Sequence, residues 1–218
     1  MARFTVSILL LLSIISLAGT IGTTTATSHG SSNNHRRSTN SRTIVEAQCR
    51  GTLYPRLCIE SLFYFVSNST VPTAEELAQI SLKVSLVKAR YTRSYVAKVA
   101  AELKQIKAKE YPAVKDCLDQ INDGVGQISN AVKELGRLFR ADRESVFSWH
   151  RSNVETWVST ALTDALMCMD SFPGNTVGSK RKAIIKAKVL NVAQATSNAL
   201  AFFNRFVARH RASRATKP

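Results

Sequence analysis

The side chains in this sequence that could do chemistry are few and scattered. Four histidines occur, at His29, His35, His150 and His210. Catalysis needs such a group beside a partner in hydrogen-bond reach, and metal ligation needs a clustered set. His29 and His35 stand in a polar tract, His210 in a basic terminus, and His150 beside Trp149 on a helical pattern. A lone imidazole on a helix is expected to sit at the surface or half buried. Asp116, Asp119 and Asp123 recur at helical spacing, as an acid/base pair or a metal site would. They interleave with an apolar stripe, so they read as its solvated face. Gly124-Val125-Gly126 lacks the third glycine of a phosphate cradle and follows no strand. Neither a G-x-S-x-G elbow nor an H-E-x-x-H pair is present. The expectation is a protein with no catalytic residue, no metal ligand and no cofactor, whose work is binding.

Two residue types do point to covalent events. The cysteines are Cys49, Cys58, Cys117 and Cys168. An even number behind a secretory leader implies two disulfides, and sequence alone allows three pairings. Asn68-Ser69-Thr70 is an N-glycosylation sequon between two helical patterns, where an acceptor is expected to be exposed.

The leader itself is short. Met1 and Arg3 precede an apolar run from Val6 to Leu17, followed by Ala18, Gly19, Thr20 and Gly22. A basic start, an apolar stretch and small residues make a secretory signal, and the run falls short of the ~20 residues that span a bilayer. We assign residues 1–22 to it; cleavage after Thr20, Gly22 or Ala26 fits the small-residue rule. Residues 23–43 are Ser, Thr, Asn, His and Arg with almost nothing apolar, a composition that reads as a disordered polar arm. Residues 44–210 remain for one folded domain, ahead of a basic tail at 211–218. The expected mature form is extracellular and has no membrane span.

Helical periodicity fills that domain. Thr73 stands three residues before Glu76, a capping box. Leu77, Ile80, Val84, Val87, Tyr91, Tyr95, Val99, Leu103 and Ile106 then follow in threes and fours. Pro112 suits the first turn of a second helix, whose stripe runs Val114, Leu118, Ile121, Val125, Ile128, Val132, Leu135 and Phe139. Its glycines Gly124, Gly126 and Gly136 suggest close approach of a neighbour. Asp142 is placed to cap a third helix carrying Val146, Trp149, Val154, Trp157, Val158, Ala161, Leu162 and Ala165. Phe172-Pro173-Gly174-Asn175 breaks it, and Ser179 is placed to cap a fourth with Ile185, Val189, Val192, Ala199, Phe203 and Phe206 inward. Four long helices on short connections predict an all-α, antiparallel up-and-down four-helix bundle over 73–209. Ahead of it, 44–67 reads as a short helical hairpin broken near Tyr54-Pro55, too short to stand alone.

This layout orders the cysteines. In an antiparallel hairpin, residues equidistant from the turn lie side by side. Cys117 and Cys168 are centred on Asp142 and Arg143, the expected turn. The layout therefore pairs Cys117 with Cys168 and leaves Cys49 for Cys58.

The net charge is +15. From Lys180 to Pro218 there are ten lysines or arginines and no acid. Such a stretch suits nucleic acid, an anionic membrane or a polyanionic polysaccharide, and the secretory leader argues against nucleic acid.

At this point the motifs converge. Cys49-x-x-Thr52-x-Tyr54-Pro55-x-x-Cys58 resembles the opening signature of the plant invertase and pectin methylesterase inhibitor family. Asp116-Cys117-Leu118 is similar to its third-cysteine region. Trp157-Val158-Ser159-Thr160-Ala161-Leu162-Thr163-Asp164, with Cys168-x-Asp170 after it, is similar to its fourth-cysteine region. Ala165-Leu166-Met167 is more apolar than the residues usual there. The resemblance covers about residues 43–210.

The resemblance implies a four-helix bundle with an N-terminal hairpin, consecutive cysteine pairing, no catalysis, and a partner that is either pectin methylesterase or an acid invertase in the cell wall or vacuole. The Pro-Lys-Phe tripeptide of some invertase inhibitors is absent. The segment from Trp157 to Asp164 looks more like the pectin methylesterase-inhibiting branch. It makes Thr160, Thr163 and Asp164 candidates for partner contact, with Trp157 fitting the core stripe as well. The expected function is a steric inhibitor of pectin methylesterase in the apoplast. The alternatives are an acid invertase inhibitor and a basic wall protein that holds de-esterified pectin by electrostatic contact.

Overall fold

The computed structural model describes residues 42–65, 72–172 and 179–215. Asn68 and the Pro173-Gly174-Asn175 break lie outside the described residues. Six helices follow in order: α1 over 42–49, α2 over Pro55–Leu62, α3 over Ala74–Gln105, α4 over Tyr111–Leu138, α5 over Glu144–Asp170 and α6 over Ser179–Ala215. The last four pack in a ring. Each touches its neighbours in sequence, and α6 closes on α3, while the diagonal pairs stay apart among the described residues. This is the up-and-down bundle expected of short connections. No helix among the described residues is long and apolar enough to cross a membrane.

Local chemistry sets the helix ends. The Thr73 hydroxyl accepts from the Glu76 N–H at 3.1 Å, and the Glu76 carboxylate accepts from the Thr73 N–H at 2.8 Å. That reciprocal box satisfies two donors that the first turn would otherwise leave open. Pro112 sits in the first turn of α4. Asp142, expected to cap α5, does not: Arg143 is the capping residue, its extended backbone makes the turn, and its side chain makes no cap hydrogen bond. Lys107, at φ 49°, makes the turn out of α3 in the left-handed region.

The stripe read on α4 is the one that packs. Val114, Ile121, Val125, Ile128 and Leu135 are buried, and the acids Asp116, Asp119 and Asp123 face solvent. The α3 stripe is corrected at mid-helix. Val87, Tyr91 and Ile106 are 66%, 68% and 66% exposed, and the buried line runs instead through Leu82, Ser85, Ala89, Thr92 and Val96. Small and hydroxyl side chains let α6 come close there. The Ser85 and Thr196 hydroxyls hydrogen-bond at 2.5 Å across that contact, so neither is left unpaired in the core. Trp149, placed in the α5 stripe, is also exposed. Of the three α4 glycines, Gly124 alone meets another helix: a Cβ there would stand 3.6 Å from the Cβ of Asp164 and 3.8 Å from the Ala161 carbonyl.

Both disulfides form as the layout orders them, Cys49 with Cys58 and Cys117 with Cys168. The first closes the α1–α2 hairpin. Val45, Cys49, Cys58 and Leu62 then join Leu77, Leu82, Phe202 and Phe203 in one core, so the hairpin leans on α3 and α6. Arg205 donates to the Gln48 carbonyl from α6 and lies over the Phe202 ring. At this same end of the bundle α6 runs through Ala215. His210 stacks on Phe147 at 3.7 Å, and Arg214 meets Glu144 at 3.1 Å, so residues 211–215 continue the helix onto the start of α5.

Candidate partner-binding face

The segment from Trp157 to Asp164 lies in the middle of α5. Its one valine and one alanine face the core: Val158 and Ala161 are buried. Trp157 is half buried and packs against the core formed with Val154 and Leu135. It thus works as a wall of the bundle.

Thr160 and Thr163 lie toward the outside. The Thr160 hydroxyl donates to the Thr156 carbonyl at 2.9 Å, and the Thr163 hydroxyl to the Ser159 carbonyl at 3.3 Å. Each hydroxyl hydrogen is used within the helix, which leaves oxygen lone pairs facing outward as acceptors. Leu166 and Met167 extend the same surface toward the end of α5, 53% and 50% exposed. Thr156, Ser159, Thr163 and Leu166 or Met167 recur at threes and fours, a single outward stripe of polar residues ending in two apolar ones. The sequence signal for that apolar end was the Ala165-Leu166-Met167 run itself.

Asp164 goes elsewhere. It is 8% exposed, faces Gly124 of α4, and its Oδ2 has no hydrogen-bond partner among the described residues. Burial pushes its carboxyl above the usual range, and the nearby Asp123 adds to this. Gly124 gives this carboxyl the room a larger residue would fill.

A second carboxylate on the α4–α5 seam is fully partnered. Glu134 is 2% exposed. It receives Asn153 at 2.7 Å and Arg137 at 2.7 Å, and its Oε1 lies 2.8 Å from His150 Nδ1. Burial raises the Glu134 carboxyl, but these hydrogen bonds outweigh it and hold the group below its ordinary value. His150 is therefore half buried as a partner of Glu134. Among the described residues, no group of three or more His, Cys, Asp or Glu side chains could hold a metal ion.

Comparison with known proteins places the chain. The family model described as "Plant invertase/pectin methylesterase inhibitor" matches residues 43–202. The chain is 40% identical over 163 residues to Pectinesterase inhibitor 9 of Arabidopsis thaliana, covering 75% of this chain and 80% of that protein. It is 36% identical over 168 residues to the 21 kDa protein of Daucus carota, covering 77% and 86%. The fold is similar to a crystal structure of a mutant form of an Arabidopsis pectin methylesterase inhibitor, at TM-score 0.54 and 18% identity, covering 72% of this chain and 92% of that one. The cysteine signatures, the hairpin-and-bundle fold and a match over most of the chain agree: this protein belongs to the plant invertase/pectin methylesterase inhibitor family.

Proposed function

We propose that this chain is a secreted, non-catalytic inhibitor of pectin methylesterase that works by covering the enzyme's pectin-binding cleft. The observation that carries the reading is the 40% identity to a protein named as a pectinesterase inhibitor, over three-quarters of the chain. A disulfide-tied bundle is a rigid body, and rigidity limits the entropy lost on docking. The outer α5 surface, with Thr160 and Thr163 as contacts and Leu166 and Met167 as its apolar end, is the surface we assign to the enzyme. Trp157 and Asp164 support it from within. An acid invertase is the competing target, since the family's description covers both enzymes. The absence of a Pro-Lys-Phe tripeptide and the further relatives named as pectinesterase inhibitors favour the esterase.

The same reading places the protein outside the cell, in the apoplast and cell wall, after removal of residues 1–22. Residues 23–43 would form the polar arm, 44–210 the inhibitor domain, and Asn68 would carry the glycan. The experiment that tests the function is inhibition of purified pectin methylesterase and acid invertase, side by side. Inhibition of the esterase alone is expected; inhibition of invertase alone would reverse the assignment.

A further inference from the structure

Charge is divided between the two halves of the bundle. Between Glu76 and Glu102, α3 carries Lys83, Lys88, Arg90, Arg93 and Lys98 and no acid, and α6 carries no acid along its whole length. These two helices pack side by side, so their cations share one side of the molecule. None of those five, nor Lys188, forms an ion pair among the described residues. The acids Asp116, Asp119, Asp123 and Glu155 lie on α4 and α5.

An open groove of about 650 Å³ follows the α3–α6 seam. Val87, Lys88, Tyr91, Ile184, Lys188 and Asn191 line it, and no acid does. Val87 and Tyr91 are the two large hydrophobic residues of mid-α3 that the core leaves exposed. The Lys188 ammonium lies 4.7 Å from the Tyr91 ring centre and 4.9 Å from that of Tyr95. Lys88 donates to the Asn191 carbonyl oxygen at 2.9 Å, which turns the Asn191 amide into a donor for whatever enters. Two fixed ammonium groups, the Tyr91 phenol and an amide thus line one side of an open trough.

We propose that this groove binds an acidic polysaccharide, a chain of uronic acid units, at a site separate from the α5 surface. The ammonium groups of Lys88 and Lys188 take the carboxylates. The Tyr91 phenol and the Asn191 amide take hydroxyls, and Val87 and Ile184 meet the apolar sugar faces. Charge complementarity selects a polyanion. Lysines offer point charges suited to single carboxylates spaced along a chain, where phosphates would favour arginine forks. The Lys188 ammonium already covers one face of each tyrosine ring, which disfavours the base stacking that single-stranded nucleic acid would need. This proposal does not depend on which enzyme is inhibited.

Calorimetric titration of the full chain with short polygalacturonate tests it, with fully methyl-esterified pectin, a single-stranded RNA and anionic phospholipid vesicles titrated alongside. Binding to polygalacturonate that weakens with salt, and little to the ester, is expected. Three charge-matched double variants then locate the site: Lys88→Gln with Lys188→Gln in the groove, Lys133→Gln with Arg140→Gln on and just after α4, and Arg209→Gln with Arg211→Gln at the end of α6. The groove pair should lose about tenfold in affinity, the other two about twofold or less. Tyr91→Ala should lower affinity at unchanged charge. Equal losses in all three pairs would reduce the binding to net charge and overturn the site. Tighter binding to RNA or vesicles than to polygalacturonate would overturn the ligand. Melting curves of every variant, together with inhibition in dilute solution, separate loss of this site from loss of fold or of the inhibitory surface.

Discussion

Asn198 of α6 holds both backbone groups of Tyr54: the Tyr54 N–H donates to its Oδ1 at 3.1 Å, and its Nδ2 donates to the Tyr54 carbonyl at 2.9 Å. The two residues are 144 positions apart, and Asn198 is 4% exposed. One amide thus does for the α1–α2 turn what a sheet ladder does for a strand. Removing it takes the acceptor from the half-buried Tyr54 N–H and one of two donors from the Tyr54 carbonyl, which keeps the Cys58 N–H at 3.0 Å. Asn198→Ala should cost about 2–3 kcal/mol, from two lost bonds of about 1 kcal/mol each plus a cavity. Asn198→Asp, which keeps only the acceptor, should fall between. Thermal unfolding checks the order, and amide exchange should speed up first in the 50–58 turn.

The two disulfides should differ in worth. Cys117–Cys168 closes a separation of 51 residues and Cys49–Cys58 one of 9. In the chain-entropy model these restrict the unfolded chain by about 4 and about 3 kcal/mol. Replacing both cysteines of the longer bridge by Ala should lower the melting temperature more than replacing both of the shorter. The shorter pair should instead show its effect in the hairpin, as faster proteolysis near Tyr54 with the bundle intact. Equal melting temperatures for the two double variants would contradict the loop argument.

The start of α3 and the long face of α4 were legible because they are local, whereas the cap of α5 was read one residue early, at Asp142. Thr73 and Glu76 are three residues apart, and the α4 stripe is set by period alone, so both could be read from the chain. The cysteine pairing followed because an antiparallel turn makes sequence symmetry a spatial fact. The mid-face of α3 was not legible. A period search favours large apolar residues, and here Val87 and Tyr91 matched the period while Ser85, Ala89 and Thr92 made the contact. What decided it was the close approach of α6, with Ser85 paired to Thr196 across 111 residues. Glu134 was equally hidden: its three partners lie on its own helix and on α5, and only the folded seam brings Asn153 and His150 to it. In the α5 segment the residue types pointed to a surface, but Asp164 turned inward to pack against Gly124, a contact that only the folded seam makes.

The α4–α5 seam holds two carboxylates that should answer pH in opposite senses. Glu134 is held below its ordinary value, so its contribution is full above the unfolded value of about 4.3 and fades as pH falls through the folded one. Asp164 is raised, so its protonated form favours folding. That stability is full below about 3.9 and is lost as pH rises through the folded value. Glu134→Gln should therefore lower the melting temperature at neutral pH, by about 4–8 °C for roughly 2 kcal/mol in a domain of this size. The loss should shrink in acid. Asp164→Asn should raise the melting temperature at neutral pH, and its advantage should also vanish in acid. Melting curves from about pH 3 to pH 8 check both signs. A destabilised Asp164→Asn at neutral pH would mean the carboxylate has a partner there.

The inhibitory surface gives the most direct test of the proposed function. Thr163 is exposed, Thr160 is half exposed, and both hydroxyls use their hydrogens on their own helix. Replacing either by Ala removes an outward acceptor without opening the core, so the melting temperature should move by less than about 2 °C. Leu166 and the adjacent Met167 are 53% and 50% exposed, an apolar pair that a docked partner would cover. Leu166→Ser should likewise leave the fold intact. If α5 meets the esterase, Thr163→Ala and Leu166→Ser should each weaken inhibition by about tenfold, and the pair by more. Asp164→Asn separates contact from support. A buried carboxylate that only shapes the seam should change stability and leave inhibition within about twofold, whereas one that reaches the enzyme should change inhibition with little effect on melting. If Thr163→Ala and Leu166→Ser both inhibit like the parent, the enzyme docks on another face of the bundle, and charge reversals along α4 become the next variants to measure.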